Sequence, residues 1–367
     1  MGKRLFTFAA NAPLRLLGLA AVIAACGGST DPTMPATIVS RTSPGGAGDP
    51  GAPTVGTAPL PTPGPDHVAD NVGAPAAITM TKDMVVFITR KTTIDDKLVD
   101  AGALFVADKK VGRAMMTGLD RQGATYEALA TDGATAFVAT SDARIVAVSV
   151  MGGDARLVGT LPAPATAMTV SANHVYFATS LGDIGRVLKT GGEPEALGAV
   201  ETSVRGLEVD EQGVYVATAD PTRSGITRIA LDAEHTTKVL TDKSEPCAMI
   251  RDGKRLFWTT NDKGAVLRLS LEGTSDVTTV ASGSFSACAI AADDKDLWFA
   301  TTVPGLLPAK VAGGSEAGLG LMRAPIAGGA PISVTAAARA LPQPGAVAVD
   351  ATHVYWLTST SVLRLRK

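Results

Sequence analysis

The fold class that the sequence predicts is all-β: a seven-bladed β-propeller of four-stranded antiparallel blades. Three observations predict it. A short apolar-aromatic segment ending in Thr recurs seven times along the chain. Eight positions before that Thr stands an Asp, Ser or Thr that can cap a turn. The 367 residues include 39 Gly and 22 Pro but only 19% charged residues, below the roughly 25% of soluble domains. This composition suits short strands joined by many tight turns.

The 33 basic and 35 acidic residues nearly cancel, and no run of Lys or Arg stands out. This argues against a nucleic-acid groove or a polybasic membrane patch.

The segment from Met1 to Ala25 reads as an address rather than as part of the fold. Lys3, Arg4 and Arg15 precede an apolar segment from Leu16 to Ala25. It is too short to span a bilayer as a helix, which takes about 20 residues. It suits a secretory signal. Ile23-Ala24-Ala25-Cys26 resembles the bacterial lipobox, which implies that Cys26 is lipidated and becomes the mature N-terminus. Gly27 after it, by the same resemblance, favours the outer membrane. Residues 27–66 contain no aromatic residue, no Lys, one Arg and a Pro or Gly every two or three positions. Such a segment buries too little apolar surface to offset its ordering entropy, so a flexible tether is expected.

The repeats occupy residues 67–367. Their marked strands end at Thr89, Thr140, Thr179, Thr218, Thr260, Thr301 and Thr358. The capping position before them holds Thr81, Asp132, Ser171, Asp210, Asp252, Asp293 and Asp350. A small apolar strand precedes each cap. A third strand carrying an Arg follows the Thr, with Arg113, Arg186, Arg228, Arg268, Arg323 and Arg364 in six copies and Ala147 in the second. Gly152-Gly153, Gly191-Gly192 and Gly328-Gly329 end it as a tight hairpin prefers, and a weaker fourth strand comes next. Four strands in about 40 residues, repeated, make propeller blades.

The seventh copy stops after its third strand. Its missing fourth strand is expected near His67 to Asp70, pairing with Val362 to Arg366, so that the two ends of the repeat region close the ring and cover an open edge. The first copy is irregular. Its fourth strand reads as short or replaced by "GALFVADKK", which leaves six blades as the alternative count.

The Tyr-Trp-Thr strand, the Arg-bearing strand and the Gly turn resemble the YWTD-type and TolB-like β-propellers of receptors and bacterial envelope proteins. The resemblance spans about four fifths of the chain and implies fold rather than ligand.

Five residues before the cap, the innermost strands begin with Ala76, Glu127, Thr166, Arg205, Cys247, Cys288 and Gly345. This ring should surround the mouth of the central channel. Its members differ in charge and size while the repeat Thr stays constant, so Glu127, Thr166, Arg205, Cys247 and Cys288 are the candidate ligand-binding residues. Glu127 and Arg205 either offer an acceptor and a donor to one polar ligand or pair through water and plug the channel. Cys247 and Cys288 lie in adjacent copies, where equivalent positions are expected roughly 6–7 Å apart, at the upper limit for a disulfide. Either a bond or two small buried thiols fits. Two long segments, Arg90 to Ala103 and Thr302 to Gly320, read as loops on the same face.

No cofactor is expected. His67, His174, His235 and His353 fall in different copies or at equivalent positions that face different sectors, which does not make a metal site. The Asp-rich turns read as caps rather than as calcium loops, and the Arg series as packing on neighbouring aromatics rather than as anion sites. No Gly-x-Ser-x-Gly or His-Glu-x-x-His occurs. The expectation is a monomeric, lipid-anchored cell-envelope protein, non-catalytic, binding a protein or glycan partner. The alternative is a propeller hydrolase or lyase acting at the mouth through Glu127 and Arg205.

Overall fold

The computed structural model describes residues 65–367 apart from 121, 220–223, 233, 235–236, 242–244, 261–263, 273–275, 284–285, 303–319 and 335–345. The expected signal segment, the expected lipidation site Cys26, the expected tether through residue 64, His235 and Gly345 lie outside the described residues.

The chain folds as seven antiparallel sheets around a central channel, a seven-bladed β-propeller. In each blade the innermost strand pairs with the Thr-ended strand, as Ala165–Val170 does with His174–Thr179. The third blade continues with Asp183–Leu188 and Glu195–Ala199. The three Gly pairs that turn the third strand into the fourth all sit at positive φ, for example Gly191 at 100° and Gly192 at 146°, where side chains with a Cβ are strained.

The last sheet answers the question of the open edge. Its order runs from Asp66–Ala69 through Val362–Arg366 and His353–Leu357 to Val347–Val349. Asp66 pairs with Arg364 and His67 with Leu363, so the N-terminal strand supplies the fourth strand of the seventh blade. Val68, 3% exposed, plugs into the seam between the last blade and the first, beside Val85, Phe87, Phe105 and Tyr355. Seven apolar clusters of this kind each join two neighbouring blades, which settles the count at seven rather than six. Trp258, Trp298, Trp356, Tyr215 and Tyr355 from the repeat strands are among the most buried side chains.

The first blade departs from the sequence expectation. "ALFVAD", Ala103–Asp108, is its third strand and pairs with Met84–Ile94; the fourth strand is Ala114–Leu119. The place across from the third residue before the repeat Thr, filled by Arg186 against Tyr176 and Arg364 against Tyr355, holds Val106 against Val86. Arg113 is therefore not a member of the Arg series. The sequence reading skipped a strand because Arg90 to Ala103 is not a loop. Met84–Ile94 runs five residues past Thr89, turns at Asp95 and Asp96 with φ of 48° and 59°, and returns through Lys97–Val99. The extra hairpin lengthened the copy and displaced the count.

The repeat residues have clear jobs. The Thr hydroxyls, all buried, tie the loop that leads into the third strand. Thr140 Oγ1 accepts the Arg144 N–H at 3.1 Å, and Thr260 Oγ1 accepts that of Ala265 at 3.2 Å. The Asp carboxylates cap turns: Asp293 Oδ1 accepts the N–H groups of Lys295 and Asp296 at 2.9 and 2.8 Å. The other oxygen serves the core. Asp293 Oδ2 accepts Trp298 Nε1–H at 2.9 Å, and Asp210 and Asp350 accept Tyr215 and Tyr355 hydroxyls. Three lysines at the end of third strands reach back to the cap of the preceding blade: Lys189 to Asp132, Lys367 to Asp293, and Lys109 to Asp350 across the closure.

Arg186 and Arg323 of the third strands are spent within their own blades. Arg186 forks onto Glu195 at 2.8 and 3.1 Å, and the Arg323 guanidinium sits 5.9 Å from the Trp298 ring centroid.

Candidate functional site

The ring of variable residues shares a backbone feature that sequence spacing did not reveal. In the second blade Tyr126 pairs with Thr140 and Ala128 with Ala139, so Glu127 is skipped. Thr166, Arg205, Cys247 and Cys288 are skipped in the same way, and Ala76 lies between Pro75 and Ala77 at another register shift. Each is the extra residue of a β-bulge, a device that re-aims one side chain and ends regular pairing. Six residues therefore leave the ladder at one level and line one end of a channel of about 1160 Å³. The seventh equivalent, Gly345, lies outside the described residues.

Glu127 and Arg205 are not partners. Glu127 Oε2 accepts Arg90 Nε–H at 2.8 Å, and Oε1 accepts the Thr125 hydroxyl at 2.5 Å. Burial pushes this carboxyl up, but the hydrogen bonds from Arg90 and Thr125 and the Arg90 charge outweigh it and hold the pKa below the ordinary value. Glu127 is thus a fixed carboxylate. Arg205 is exposed and makes no ion pair among the described residues. Thr166 Oγ1 reaches the Ala178 carbonyl at 3.4 Å. Between the second and third blades, Arg90, Glu127, Ser141, Pro164, Thr166 and Ser180 line a hollow of about 300 Å³.

Cys247 and Cys288 form a disulfide, with Cα atoms 4.7 Å apart. This is shorter than the roughly 6–7 Å expected for repeat-equivalent positions and lies within the range a disulfide spans. The bond staples these two blades at the mouth.

Sequence reasoning missed Arg90. The signal was available: the residue after the repeat Thr is Arg90, Ser141, Ser180, Ala219, Asn261, Thr302 and Ser359, and only one of these is charged. Of the two long segments expected at the mouth, the first is the hairpin described above, with Lys91 Nζ 2.6 Å from Asp100. Residues 303–319 of the second lie outside the described residues. Among the described residues no three His, Cys, Asp or Glu side chains gather as a metal site would require.

No protein-family model matches the chain, and no curated protein matches it. Solved structures do. A virginiamycin B lyase from Staphylococcus aureus superposes with a TM-score of 0.60 at 14% identity over 82% of this chain and 97% of that one. YCF48 bound to D1 peptide superposes with 0.61 at 11% identity over 83% and 96%. The computationally designed protein Ika8 gives 0.55 at 14% identity over 82% and 98%. At these identities the likeness is one of fold. The three span a lyase, a peptide complex and a design, so the shared scaffold carries no function by itself.

Proposed function

We propose that this protein is a lipid-anchored lipoprotein of the cell envelope, carrying a YWTD-type or TolB-like propeller that binds a protein or glycan partner through its channel-mouth face without catalysing a reaction. The membrane anchor is lipidated Cys26, and the tether of residues 27–66 holds the propeller off an outer-membrane surface. The observation that carries the binding role is the ring of bulges. It presents Glu127, Thr166, Arg205 and the Cys247–Cys288 bridge at one level, on a scaffold stapled by that bridge.

In the alternative, a hydrolase or lyase at the mouth acting through Glu127 and Arg205, Glu127 as the general acid would have to hold a proton near neutral pH. Glu127 is shifted in the opposite direction by Arg90 and Thr125, which supports recognition over proton transfer. In the bound state Glu127 and Arg90 offer a fixed acceptor and donor pair, and Arg205 offers a cation with no ion-pair partner among the described residues.

The test uses the full chain with Glu127→Gln and Arg205→Gln together, in crosslinking recovery from envelope membranes and on a glycan array. Loss of a partner seen with the parent, at an unchanged melting curve, supports the site; an unchanged partner list removes it. Separately, Cys26→Ala should abolish incorporation of labelled palmitate. Equal incorporation would remove the anchor while leaving the mouth hypothesis standing.

A further inference from the structure

The Cys247–Cys288 bridge sits where a dissolved thiol can reach it and where the fold can spare it. Both residues are the extra members of β-bulges. Pro246 pairs with Thr260 and Ala248 with Thr259 on either side of Cys247, and Ala287 pairs with Thr301 and Ala289 with Ala300 on either side of Cys288. Neither cysteine holds a place in its ladder, so both side chains can turn without breaking a strand pair. The fifth and sixth blades also share an apolar seam, in which Phe257, Val266 and Val280 cluster with Ile290, Leu297 and Phe299. That buried surface keeps the two blades together when the bond opens.

The two halves of the bridge differ in access. Both residues line the channel of about 1160 Å³, but Cys288 is exposed while Cys247 is half-buried. Exchange begins when a thiolate reaches one sulfur of a disulfide, and exposed bridges are the labile ones. Cys288 is therefore the half open to attack, and Cys247 is the leaving group. In the next ring position on the far side of Cys247 stands Arg205, which is exposed and makes no ion pair among the described residues. Their innermost strands, Val204–Val209 and Pro246–Asp252, pack side by side.

We propose that Cys247–Cys288 is a thiol–disulfide exchange site whose substrates are small thiols carrying a carboxylate. A thiolate entering the mouth attacks Cys288 Sγ. Its electron pair forms the new S–S bond, and the pair of the old bond leaves on Cys247 Sγ as a thiolate. One disulfide has replaced another, with no net oxidation: Cys288 carries the small molecule, and Cys247 takes a proton from water or stays ionised. A second thiolate that attacks the outer sulfur of the adduct releases a small disulfide and leaves Cys288 as a thiolate. Two small thiols are then oxidised and the protein bridge is reduced, two electrons on each side.

Place and charge set the substrate class. The cysteines line a channel rather than an outer blade edge, which suits a reactant small enough to enter the mouth. Arg205 attracts a carboxylate on that reactant and favours the thiolate that Cys247 becomes. The other charged member of the ring, Glu127, lies three blades from Cys247 and is given to Arg90. Cys247 and Cys288 are the two cysteines of the repeat region, so a third thiol for the exchange comes from outside the propeller. The reaction goes beyond the recognition role of the mouth and does not depend on which partner that face binds.

The full chain, incubated near neutral pH with 3-mercaptopropionate, quenched with N-ethylmaleimide and mapped by peptide mass spectrometry, tests the site. The expected product carries 3-mercaptopropionate in disulfide linkage on Cys288 and maleimide on Cys247, with the circular dichroism of the untreated protein. The uncharged 2-mercaptoethanol, at equal thiolate concentration, is the reference. Arg205→Gln should lower the rate ratio of 3-mercaptopropionate to 2-mercaptoethanol about two- to fivefold, the size of one exposed charge pair. Arg205→Lys keeps the charge and should hold the ratio near that of the parent. A bridge that resists both thiols until denaturant is added, an adduct on Cys247 instead of Cys288, or loss of β structure during exchange overturns the exchange site. A rate ratio unmoved by Arg205→Gln overturns the preference for carboxylates. Recovery of a protein or glycan partner by the mouth is read separately from all of these.

Discussion

Replacing Asp293 by Asn separates the turn-capping role of the repeat Asp from its role in holding blades together. The Asn carbonyl can still accept the N–H groups of Lys295 and Asp296, so the turn survives. The amide nitrogen, however, replaces the oxygen that accepts Trp298 Nε1–H and the Lys367 ammonium, and it sets a donor against two donors. Trp298 is 1% exposed, so its N–H finds no water. Losing a charge-assisted hydrogen bond and stranding a buried N–H should cost about 2–3 kcal/mol at neutral pH. The titration of the group gives an independent figure. Burial would push the Asp293 carboxyl up, but Lys367, the two turn N–H groups and Trp298 outweigh it and lower its pKa from 3.8 to about 2. That drop corresponds to about 2.4 kcal/mol, and solvent reaching the Lys367 ammonium reduces this to about 1.5–2 kcal/mol. Because the folded-state pKa is the depressed one, this stability is complete above pH 3.8 and is lost as pH falls through about 2. Thermal unfolding followed by circular dichroism from neutral pH down to about pH 2 is the assay. The variant should melt about 4–8 °C below the parent at neutral pH, and the gap should close toward pH 2, where the parent has lost what the variant never had. A gap that is constant across the range, or a neutral-pH difference too small to resolve, would refute the reasoning.

Other outcomes follow from the same contacts. Deleting residues 27–60 should leave the melting temperature nearly unchanged. Deleting 27–70 should lower it by several degrees or cause aggregation, because Val68 and the pairing with Val362–Arg366 are lost; equal values for the two deletions would sink the closure. Thr260→Val preserves shape but strands the Ala265 N–H, which should cost about 1–3 kcal/mol in denaturant titration. A cost under about 0.5 kcal/mol would deny the loop-tying role. Cys288→Ala opens a bridge between residues 41 apart, for which chain entropy gives at most about 4 kcal/mol. The variant should be insensitive to reductant, whereas the parent should lose several degrees on reduction; a parent unaffected by reductant contradicts a bridge that holds two blades.

The repeat Thr, the capping Asp, the aromatic pair and the Gly turns specified strands, turns and their order, because pairing inside a blade depends on chemistry within a single repeat. The closing strand was legible for the same reason: the seventh copy lacked a fourth strand, and the segment near His67 supplied one. The first blade misled because its Arg90-to-Ala103 insertion is itself a hairpin, and a hairpin carries the same alternation as a blade strand. Tertiary structure decided what spacing cannot encode. The bulges at Glu127, Thr166, Arg205, Cys247 and Cys288 are register choices between two strands, and no single-strand pattern marks them. Arg90 meets Glu127, Lys189 meets Asp132, and Cys247 meets Cys288 across blade boundaries. These meetings depend on the distance and angle at which apolar faces of neighbouring sheets pack, a property of the closed ring rather than of any one repeat. The sequence by itself therefore determined the blade; the closed ring decided that there are seven of them and which side chains face one another around the channel.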